Sequence, residues 1–160
     1  MILLVRVDER LIHGQVVVAW GSILEPTDYV VVDDAIAASD WEPDLVLAGV
    51  PDDTRGEVVT VADAATAWDT WRQDAKRRIV LVQSVHTLVS LLDSGVAVGR
   101  ANIGGLRRRP GRRQFLPYVQ LDAAEIAACR RLCDAGVHLE GRDVPGTAPV
   151  DLCPQVGSER

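Results

Sequence analysis

The chain has 160 residues, a formal net charge of −6, 48% hydrophobic residues and 25% charged residues. This composition is typical of one globular domain with a full core, which excludes a disordered chain, and the acidic balance argues against general nucleic-acid binding. No apolar run is long enough to span a bilayer and the N-terminus lacks a signal-peptide pattern, so we expect a cytoplasmic protein without membrane insertion.

The predicted elements alternate between strands and helices along the chain. Short apolar or β-branched runs predict strands at residues 2–7, 29–32, 57–61, 78–83, 98–103, 115–121 and 138–144. Helical spacing and capping residues predict helices at residues 14–24, 35–47, 63–72, 85–92 and 123–135. Pro43 is expected to kink or restart the second helix, and Pro117 favours an edge position for the sixth strand. Asp122 and Glu125 have the spacing of a capping box.

This alternation predicts an α/β fold. Strands separated by helices of about ten residues favour a largely parallel sheet with helices on both faces. We therefore predict a single domain, residues 1–152, with an open, twisted, mostly parallel and Rossmann-like sheet of about seven strands. Residues 153–160 are expected to form a loose C-terminal tail.

The first strand leads into the first helix through a polar turn that contains His13. In open α/β sheets, ligands lie at the carboxyl ends of strands. Unpaired N–H groups near Gly14 and the guanidinium of Arg10 favour an anion there, and a histidine can act as a nucleophile near neutral pH. One interpretation is a phosphohistidine site. In the other, His13 caps the helix or packs in the turn, while Arg10 pairs with Asp8 or Glu9.

Further polar residues are expected at the same edge of the sheet. Asp33, Asp34, Ser84 and Asn102 each lie at the carboxyl end of a predicted strand. Ser84 is a candidate donor to phosphoryl oxygens, and the two aspartates, Asn102 and Asp8 are candidates for supporting the site. The alternative for each is a cap on the following helix, which is favoured for the aspartates. No dinucleotide-binding or P-loop pattern follows a strand, so we predict no nucleotide cofactor.

The three cysteines do not suggest a metal site. Cys129 and Cys133 lie four residues apart on a predicted helix and share a face, and Cys153 makes the number odd. We expect reduced, mostly buried thiols. Neither His86 nor His138 has metal-type spacing to them, so no metal is predicted.

A cluster of arginines follows the Gly104-Gly105 pair. Five guanidinium groups fall within seven residues, at Arg107, Arg108, Arg109, Arg112 and Arg113. One interpretation is a solvated turn. The other is a docking surface that steers an acidic, phosphorylated partner toward the site. The two glycines permit positive φ angles or a close approach of the backbone to a ligand.

The opening run V-R-V-D-E-R-L-I-H-G-Q-V, residues 5–16, resembles the signature of the mannose/fructose/sorbose family of phosphotransferase-system (PTS) IIB components. Later blocks of the chain are similar to later family blocks in the same order, at residues 30–34, 80–84, 101–105, 144–145 and 150–152. The resemblance therefore covers nearly the whole chain. The arginine cluster and residues 146–149 depart from the usual family sequence.

This resemblance implies a function and a set of partners. A phosphorylated IIA protein or domain would phosphorylate His13 on Nδ1, and Arg10 would stabilise the phosphoryl oxygens. His13 would then pass the group to a sugar that is held by membrane IIC and IID subunits, without a metal or other cofactor. The alternative is a phosphorylation-responsive regulatory module on the same fold that does not transfer to sugar.

Overall fold

The computed structural model describes residues 1–158. Its strands are β1 (Ile2–Asp8), β2 (Asp28–Val32), β3 (Arg55–Val59), β4 (Arg78–Val82), β5 (Arg100–Gly105), β6 (Arg113–Leu116), β7 (Val119–Leu121), β8 (His138–Gly141) and β9 (Val150–Asp151). The first helix, α1, is a π-helix over Gln15–Trp20 and an α-helix over Gly21–Leu24. The other helices are α2 (Asp34–Ala37), α3 (Glu42–Leu47), α4 (Val61–Gln73), α5 (Val85–Asp93), α6 (Ala123–Asp134) and α7 (Cys153–Gly157).

Seven strands form one sheet in the order β3-β2-β4-β1-β5-β8-β9. Neighbouring strands are parallel except β8 and β9, which are antiparallel. The central strand β1 pairs with β4, where Val7 lies beside Val82, and with β5, where Arg6 lies beside Asn102. This confirms the predicted α/β fold with a mostly parallel sheet of about seven strands.

The strands bury alternate side chains in two cores on opposite faces of the sheet. On one face, Val7 packs in a core that includes Leu88 of α5 and Leu132 of α6. On the other face, Leu81 packs in a core that includes Val16 of α1. The predicted placement of helices on both faces is therefore confirmed, and each fully buried aliphatic side chain contributes about 1.5–3 kcal/mol.

The chain leaves β1 and β5 toward opposite faces of the sheet. Helix α1 follows β1 and packs on one core, whereas α6, which follows β5 and the β6–β7 pair, packs on the other. Ligand crevices form outside the carboxyl ends of strands where connections diverge in this way. The His13 loop and the arginine-rich loop begin at these two strand ends, so the topology brings them together.

The prediction of one continuous sixth strand over residues 115–121 is wrong. This part of the chain forms an antiparallel hairpin of β6 and β7 in a separate two-stranded sheet, in which Gln114 pairs with Gln120. Pro117 lies in the turn, because proline lacks the N–H that a continuous strand would need. The seventh strand of the main sheet is instead β9, which pairs with β8 through Val150 and Gly141.

The segment expected to be a loose tail is ordered from residue 153 to residue 157. It forms α7, and Val156 is fully buried in the core. The Nε of Arg130 on α6 donates a hydrogen bond to the Val156 carbonyl over 2.6 Å. The prediction of a loose tail is therefore wrong for this segment, because the buried side chain of Val156 and the hydrogen bond from Arg130 hold the short helix against the core. Residues 159–160 of the predicted tail lie outside the described part.

The expectation of three reduced cysteines is also wrong. Cys133 at the end of α6 and Cys153 at the start of α7 form a disulfide, with a Cα–Cα distance of 5.7 Å. Cys129 is a free, buried thiol, and burial raises its pKa to about 12. The sequence spacing correctly put Cys129 and Cys133 on one helix, but the return of the chain to α6 is a tertiary feature.

The predicted second helix, residues 35–47, is two short helices. Helix α2 ends at Ala37, and α3 begins at Glu42 with Pro43 in its first turn, where a proline needs no N–H partner. The predicted capping box at Asp122 and Glu125 is confirmed. Within residues 1–158, no helix has both the length and the apolar character needed to cross a membrane.

Candidate active site

The loop after β1 folds back on the strand that it leaves. Leu11 has a φ of 53°, a left-handed conformation that is rare for a branched side chain and costs about 1–2 kcal/mol. Its side chain is buried in the core beside Ile12 and Val16, and its N–H donates to the Asp8 carbonyl over 3.0 Å. Burial of Leu11 therefore offsets the backbone strain of the turn that returns His13 to Asp8.

Asp8, the last residue of β1, is the centre of the site. Its carboxylate is fully buried and accepts hydrogen bonds from Arg6 Nη2 over 2.9 Å and from the Arg10 N–H over 3.0 Å. Oδ2 of Asp8 lies 3.0 Å from Nε2 of His13. Burial alone would raise the pKa of Asp8, but the charge of Arg6 and the hydrogen bonds from His13 and Arg10 outweigh it, so its pKa is lowered. Asp8 is therefore an ionised acceptor.

An ionised Asp8 determines the tautomer of His13. Because the carboxylate can only accept, Nε2 of the neutral imidazole carries the proton and Nδ1 keeps its lone pair. The Gln15 N–H lies 3.3 Å from Nδ1, which agrees with an acceptor at that nitrogen. Burial lowers the pKa of His13, opposed by Asp8 and reinforced by Arg10 and Arg6. The ring is therefore neutral at physiological pH, with an available nucleophilic nitrogen.

Arg10 fits parts of both interpretations of the sequence, because it pairs with Asp8 and also lies near His13 with its guanidinium partly exposed. Its Nε lies 3.3 Å from Asp8 Oδ1, which confirms the predicted pairing with Asp8, and its Nη2 donates to Gln15 Oε1 over 2.7 Å. The side chain remains 36% exposed and lies on the same carboxylate as His13. Gly14 has an ordinary helical φ of −51°, and a Cβ there would meet nothing within 4 Å. Gly14 has no side chain, so this predicted phosphoryl-binding residue can contribute to the site only through its backbone.

Sequence reasoning missed Arg6 as a site residue. Its side chain is fully buried on β1, and its Nη1 donates to Asn102 Oδ1 over 2.6 Å and to the Arg142 carbonyl over 3.0 Å. Asn102, a predicted support residue, thus contacts Arg6 rather than His13. The available signal was the position of Arg6 between Val5 and Val7, because buried parallel strands are otherwise almost continuously apolar.

The glycine pair at the end of β5 makes room for these side chains. A Cβ on Gly104 would overlap the guanidinium of Arg6, and a Cβ on Gly105 would overlap the carboxylate of Asp8. Neither glycine has a positive φ. Of the two predicted roles, close approach is therefore the correct one, but the group that approaches is the protein's own ion pair.

Three predicted site residues accept hydrogen bonds from backbone N–H groups at helix starts. Asp33 accepts from the Ile36 N–H over 2.9 Å, and Asp34 accepts from the Val61 N–H over 2.7 Å. Ser84 accepts from the Thr87 N–H at the start of α5. The alternative predicted for these residues, a cap on the following helix, describes Asp33 and Ser84, while Asp34, the first residue of α2, bonds to the first residue of α4. A contact between any of them and His13 stays a prediction.

The arginine-rich loop is organised around Glu9. Its carboxylate lies 2.6 Å from Arg112, 3.3 Å from Arg109 and 3.6 Å from Arg107. Arg112 also pairs with Glu125 over 2.5 Å and is only 8% exposed. The prediction that Arg112 belongs to a docking surface is therefore wrong, because two glutamates bury its guanidinium. Asp8 and Glu9 were the two partners predicted for Arg10. Asp8 pairs with Arg10, whereas Glu9 pairs with the arginine-rich loop.

The exposed part of this loop contains the other four predicted docking residues. Arg107 and Arg109 are 66% and 60% exposed, and Arg108 is also exposed. The Arg113 guanidinium lies over the Phe115 ring at 4.8 Å. A cavity of about 480 Å³ lies between this loop and Arg10. Among residues 1–158, no group of three or more His, Cys, Asp or Glu side chains is arranged to hold a metal.

Comparisons with known proteins identify the family of the chain. The family described as "PTS system sorbose subfamily IIB component" matches residues 2–160. The chain is 33% identical over 151 residues to the PTS system fructose-specific EIIB component of Bacillus subtilis (strain 168), covering 94% of this chain and 93% of that protein. It is 31% identical over 141 residues to the PTS system mannose-specific EIIAB component of Escherichia coli (strain K12), covering 88% of this chain and 44% of that protein.

A solved structure gives the same result. The IIBSor domain of the sorbose permease from Klebsiella pneumoniae matches with a TM-score of 0.87 at 27% identity, covering 100% of this chain and 98% of that chain. The matches confirm the resemblance of the opening signature and of the blocks that follow it. The chain therefore belongs to the sorbose subfamily of PTS IIB components, which are phosphotransferases.

Proposed function

We propose that His13 is the residue through which this IIB component carries its phosphoryl group. Nδ1 accepts the group from a phosphorylated IIA protein or domain and then gives it to a sugar during uptake. The reaction takes place on the cytoplasmic side of the membrane, where IIC and IID subunits hold the sugar. The observation that carries the proposal is the 3.0 Å contact between His13 Nε2 and the buried carboxylate of Asp8.

The contact suits both halves of the transfer. When the Nδ1 lone pair attacks phosphorus, the bond between phosphorus and the donor group of IIA breaks, its electron pair returns to that donor group, and positive charge develops on the His13 ring. Asp8 stabilises this charge through Nε2–H, as a carboxylate behind a catalytic histidine does in other enzymes. In the second half, a sugar hydroxyl oxygen bonds to phosphorus as the N–P bond of His13 breaks; the bonding electron pair returns to Nδ1, and the hydroxyl proton is released to solvent.

Two neighbouring groups are positioned to bind the phosphoryl oxygens. The Gln15 N–H already faces Nδ1 at 3.3 Å and would face a group attached to that nitrogen. The guanidinium of Arg10 lies beside Gln15 and is partly exposed, so it can present a fork of donors to the equatorial oxygens. Phosphoryl transfer needs mainly such positioning and charge neutralisation.

The partners follow from charge and from the relatives. The exposed guanidiniums of Arg107, Arg108 and Arg109 next to the His13 loop favour a donor with an acidic, phosphorylated surface. The E. coli relative is named an EIIAB component, which supports a IIA unit as the donor. The K. pneumoniae structure is a domain of a sorbose permease, which supports membrane permease subunits as the acceptor complex.

Intact mass spectrometry tests the proposal. The protein is incubated with phosphoenolpyruvate, the general PTS proteins and a mannose-family IIA protein. Wild type should gain one acid-labile phosphoryl mass and lose it when membranes with permease subunits and sugar are added. His13→Ala should gain none, whereas His86→Ala, which removes an exposed histidine on α5, should behave as wild type. Phosphorylation of His13→Ala would refute the proposal.

The pH dependence of the same reaction provides a further check. Protonated imidazole has no lone pair on Nδ1, so the rate follows the neutral fraction of His13. Because burial lowers the pKa of His13 below 6.5, more than half of the ring is neutral at pH 6.5. The rate should therefore fall to half of its value at pH 8 only below pH 6.5, and a midpoint above pH 6.5 would contradict the proposal.

A further inference from the structure

We propose that Arg6 is a positioning residue for phosphoryl transfer: its guanidinium fixes the Asp8 carboxylate in the orientation that holds His13 Nε2–H and presents Nδ1. This inference rests on the proposed function of His13. Arg6 itself is fully buried and does not touch the imidazole. It acts through Asp8, which is the only one of its partners that contacts His13 among the described residues.

The hydrogen bonds of Arg6 leave Asp8 little freedom. Nε and Nη2 of Arg6 both approach Asp8 Oδ2, at 3.3 and 2.9 Å, and His13 Nε2 uses the same oxygen at 3.0 Å. Arg6 thus holds Oδ2 through two nitrogens, while the Arg10 N–H holds the other oxygen, Oδ1, at 3.0 Å, so rotation of the carboxylate would break hydrogen bonds at both oxygens. Rotation of this carboxylate would move the acceptor away from Nε2.

Arg6 is held in turn by groups from three other parts of the chain. Nη1 donates to Asn102 on β5 and to the Arg142 carbonyl that follows β8. The ring of Trp20 on α1 lies 5.7 Å from the guanidinium carbon. Asn102 also donates from Nδ2 to the Arg142 carbonyl over 3.0 Å, so the second acceptor is itself fixed. Each of the three guanidinium nitrogens therefore donates to at least one partner.

The backbone of β5 is shaped for this pair of side chains. Because Gly104 lies under Arg6 and Gly105 lies under Asp8, the two charged groups lie against the strand where any larger residue would displace them. An ion pair that served only to fill space would be replaced at little cost by apolar side chains, since burying two charges is itself unfavourable. Two glycines on a central strand are a further cost. Both costs are explained if the geometry of Asp8 matters to His13.

The charge of Arg6 and its fork can be separated by mutation. Arg6→Lys keeps a positive charge near Asp8 but provides a point charge in place of the planar fork. Arg78→Lys is the matched control. Arg78 is a buried arginine on the neighbouring strand β4, with two short bonds to Asp74 at 2.6 and 2.7 Å and a Trp71 ring at 5.6 Å. It does not contact Asp8 or His13.

The first readout is the tautomer of His13, measured by two-bond proton–nitrogen correlation spectra of ¹⁵N-histidine protein above the titration range. Wild type and Arg78→Lys should show one tautomer with the proton on Nε2. Arg6→Lys should show a mixture. The second readout is the site of phosphorylation by phosphoramidate, which transfers its phosphoryl group to imidazole and releases ammonia. Wild type and Arg78→Lys should give the Nδ1 product, and Arg6→Lys should give Nδ1 and Nε2 products.

The third readout is the rate of phosphorylation by phosphorylated IIA. A shift of catalytic geometry costs roughly 10–100-fold in rate, so Arg6→Lys should be slower by at least about 10-fold while Arg78→Lys stays within about 2-fold of wild type. Asn102→Ala, which removes one anchor of Arg6, should change all three readouts in the same direction by a smaller amount. It serves as the second variant if Arg6→Lys does not fold.

The outcomes separate this inference from the proposed function. If Arg6→Lys and Asn102→Ala keep the single Nε2–H tautomer, the Nδ1 product and the wild-type rate, Arg6 is structural and the inference is overturned. If wild type is not phosphorylated by IIA, the proposed function fails. The tautomer and phosphoramidate readouts would still decide whether Arg6 positions the imidazole.

Discussion

Two neighbouring carboxylates, Asp8 and Glu9, lie at the end of β1, and each is surrounded by guanidinium groups. Asp8 is fully buried against the β5 backbone, and its oxygens bind Arg6, Arg10 and the imidazole of His13. Glu9 lies on the other side of the strand end and binds the arginine-rich loop, with Arg112 at 2.6 Å as its shortest partner. Successive residues of an extended chain point in opposite directions, so one dipeptide serves both networks.

The two networks differ in how far their guanidinium groups are exposed to solvent. In the Asp8 network the guanidinium of Arg6 is enclosed and fixed, so it can only orient its neighbours. In the Glu9 network one arginine is buried, while Arg107 and Arg109 remain more than half exposed and can still attract an anion from solvent. The same chemical pairing therefore positions a nucleophile in one place and presents a charged surface in the other.

The largest expected effect is on stability, in the Glu9 network. Arg112→Ala leaves Glu9 and Glu125, which are 8% and 5% exposed, without their shortest charge partner. Breaking a buried pair by removing one member costs about 3–5 kcal/mol, and we expect about 3 kcal/mol in urea unfolding. Arg108→Ala, which shortens an exposed arginine of the same loop, should stay within about 0.5 kcal/mol of wild type. Equal midpoints for the two variants would show that Arg112 is not structural.

The next effect concerns the Asp8 network. Gly105→Ala places a methyl group where the Asp8 carboxylate lies, so either the strand or Asp8 must move. Overpacking of this kind costs about 1–3 kcal/mol, and displacement of Asp8 should also slow phosphorylation of His13 by at least about 10-fold. Gly99→Ala is the control, because a Cβ there meets nothing within 4 Å. If Gly105→Ala keeps the wild-type rate, the position of Asp8 does not govern His13.

Local patterns in the sequence predicted the features that depend on neighbouring residues. Strand and helix alternation predicted the α/β sheet, capping signals predicted the start of α6, and the opening signature predicted the family. The expectation that residues at the carboxyl ends of strands lie close together was less precise for Asp33. Its strand, β2, is two positions from β1 in the sheet, which is about 10 Å. Residues at the same edge of the sheet can therefore be separated by an intervening strand.

The missed features depend on which distant segments become neighbours. Arg6 lies beside Asn102 only because β5 pairs with β1, and the role of Gly104 and Gly105 depends on the same pairing. No local pattern shows this pairing across almost one hundred residues of sequence. The disulfide between Cys133 and Cys153 likewise needs α7 to return to α6. An arginine inside an apolar strand was the visible signal that Arg6 belongs to the buried network.

The smallest expected effect tests the exposed end of the Glu9 network. Replacing Arg107 and Arg108 together by alanine removes two positive charges beside the His13 loop, so association with phosphorylated IIA should slow by about 3–10-fold at low salt. Replacing Arg55 and Arg72, two exposed arginines on β3 and α4, changes the net charge equally but away from that loop and should slow it by less than about 2-fold. Stopped-flow measurement over a salt series separates the two, because screening should remove the difference at high ionic strength. Equal slowing by both pairs would mean that net charge, rather than a docking surface on the arginine-rich loop, determines the encounter.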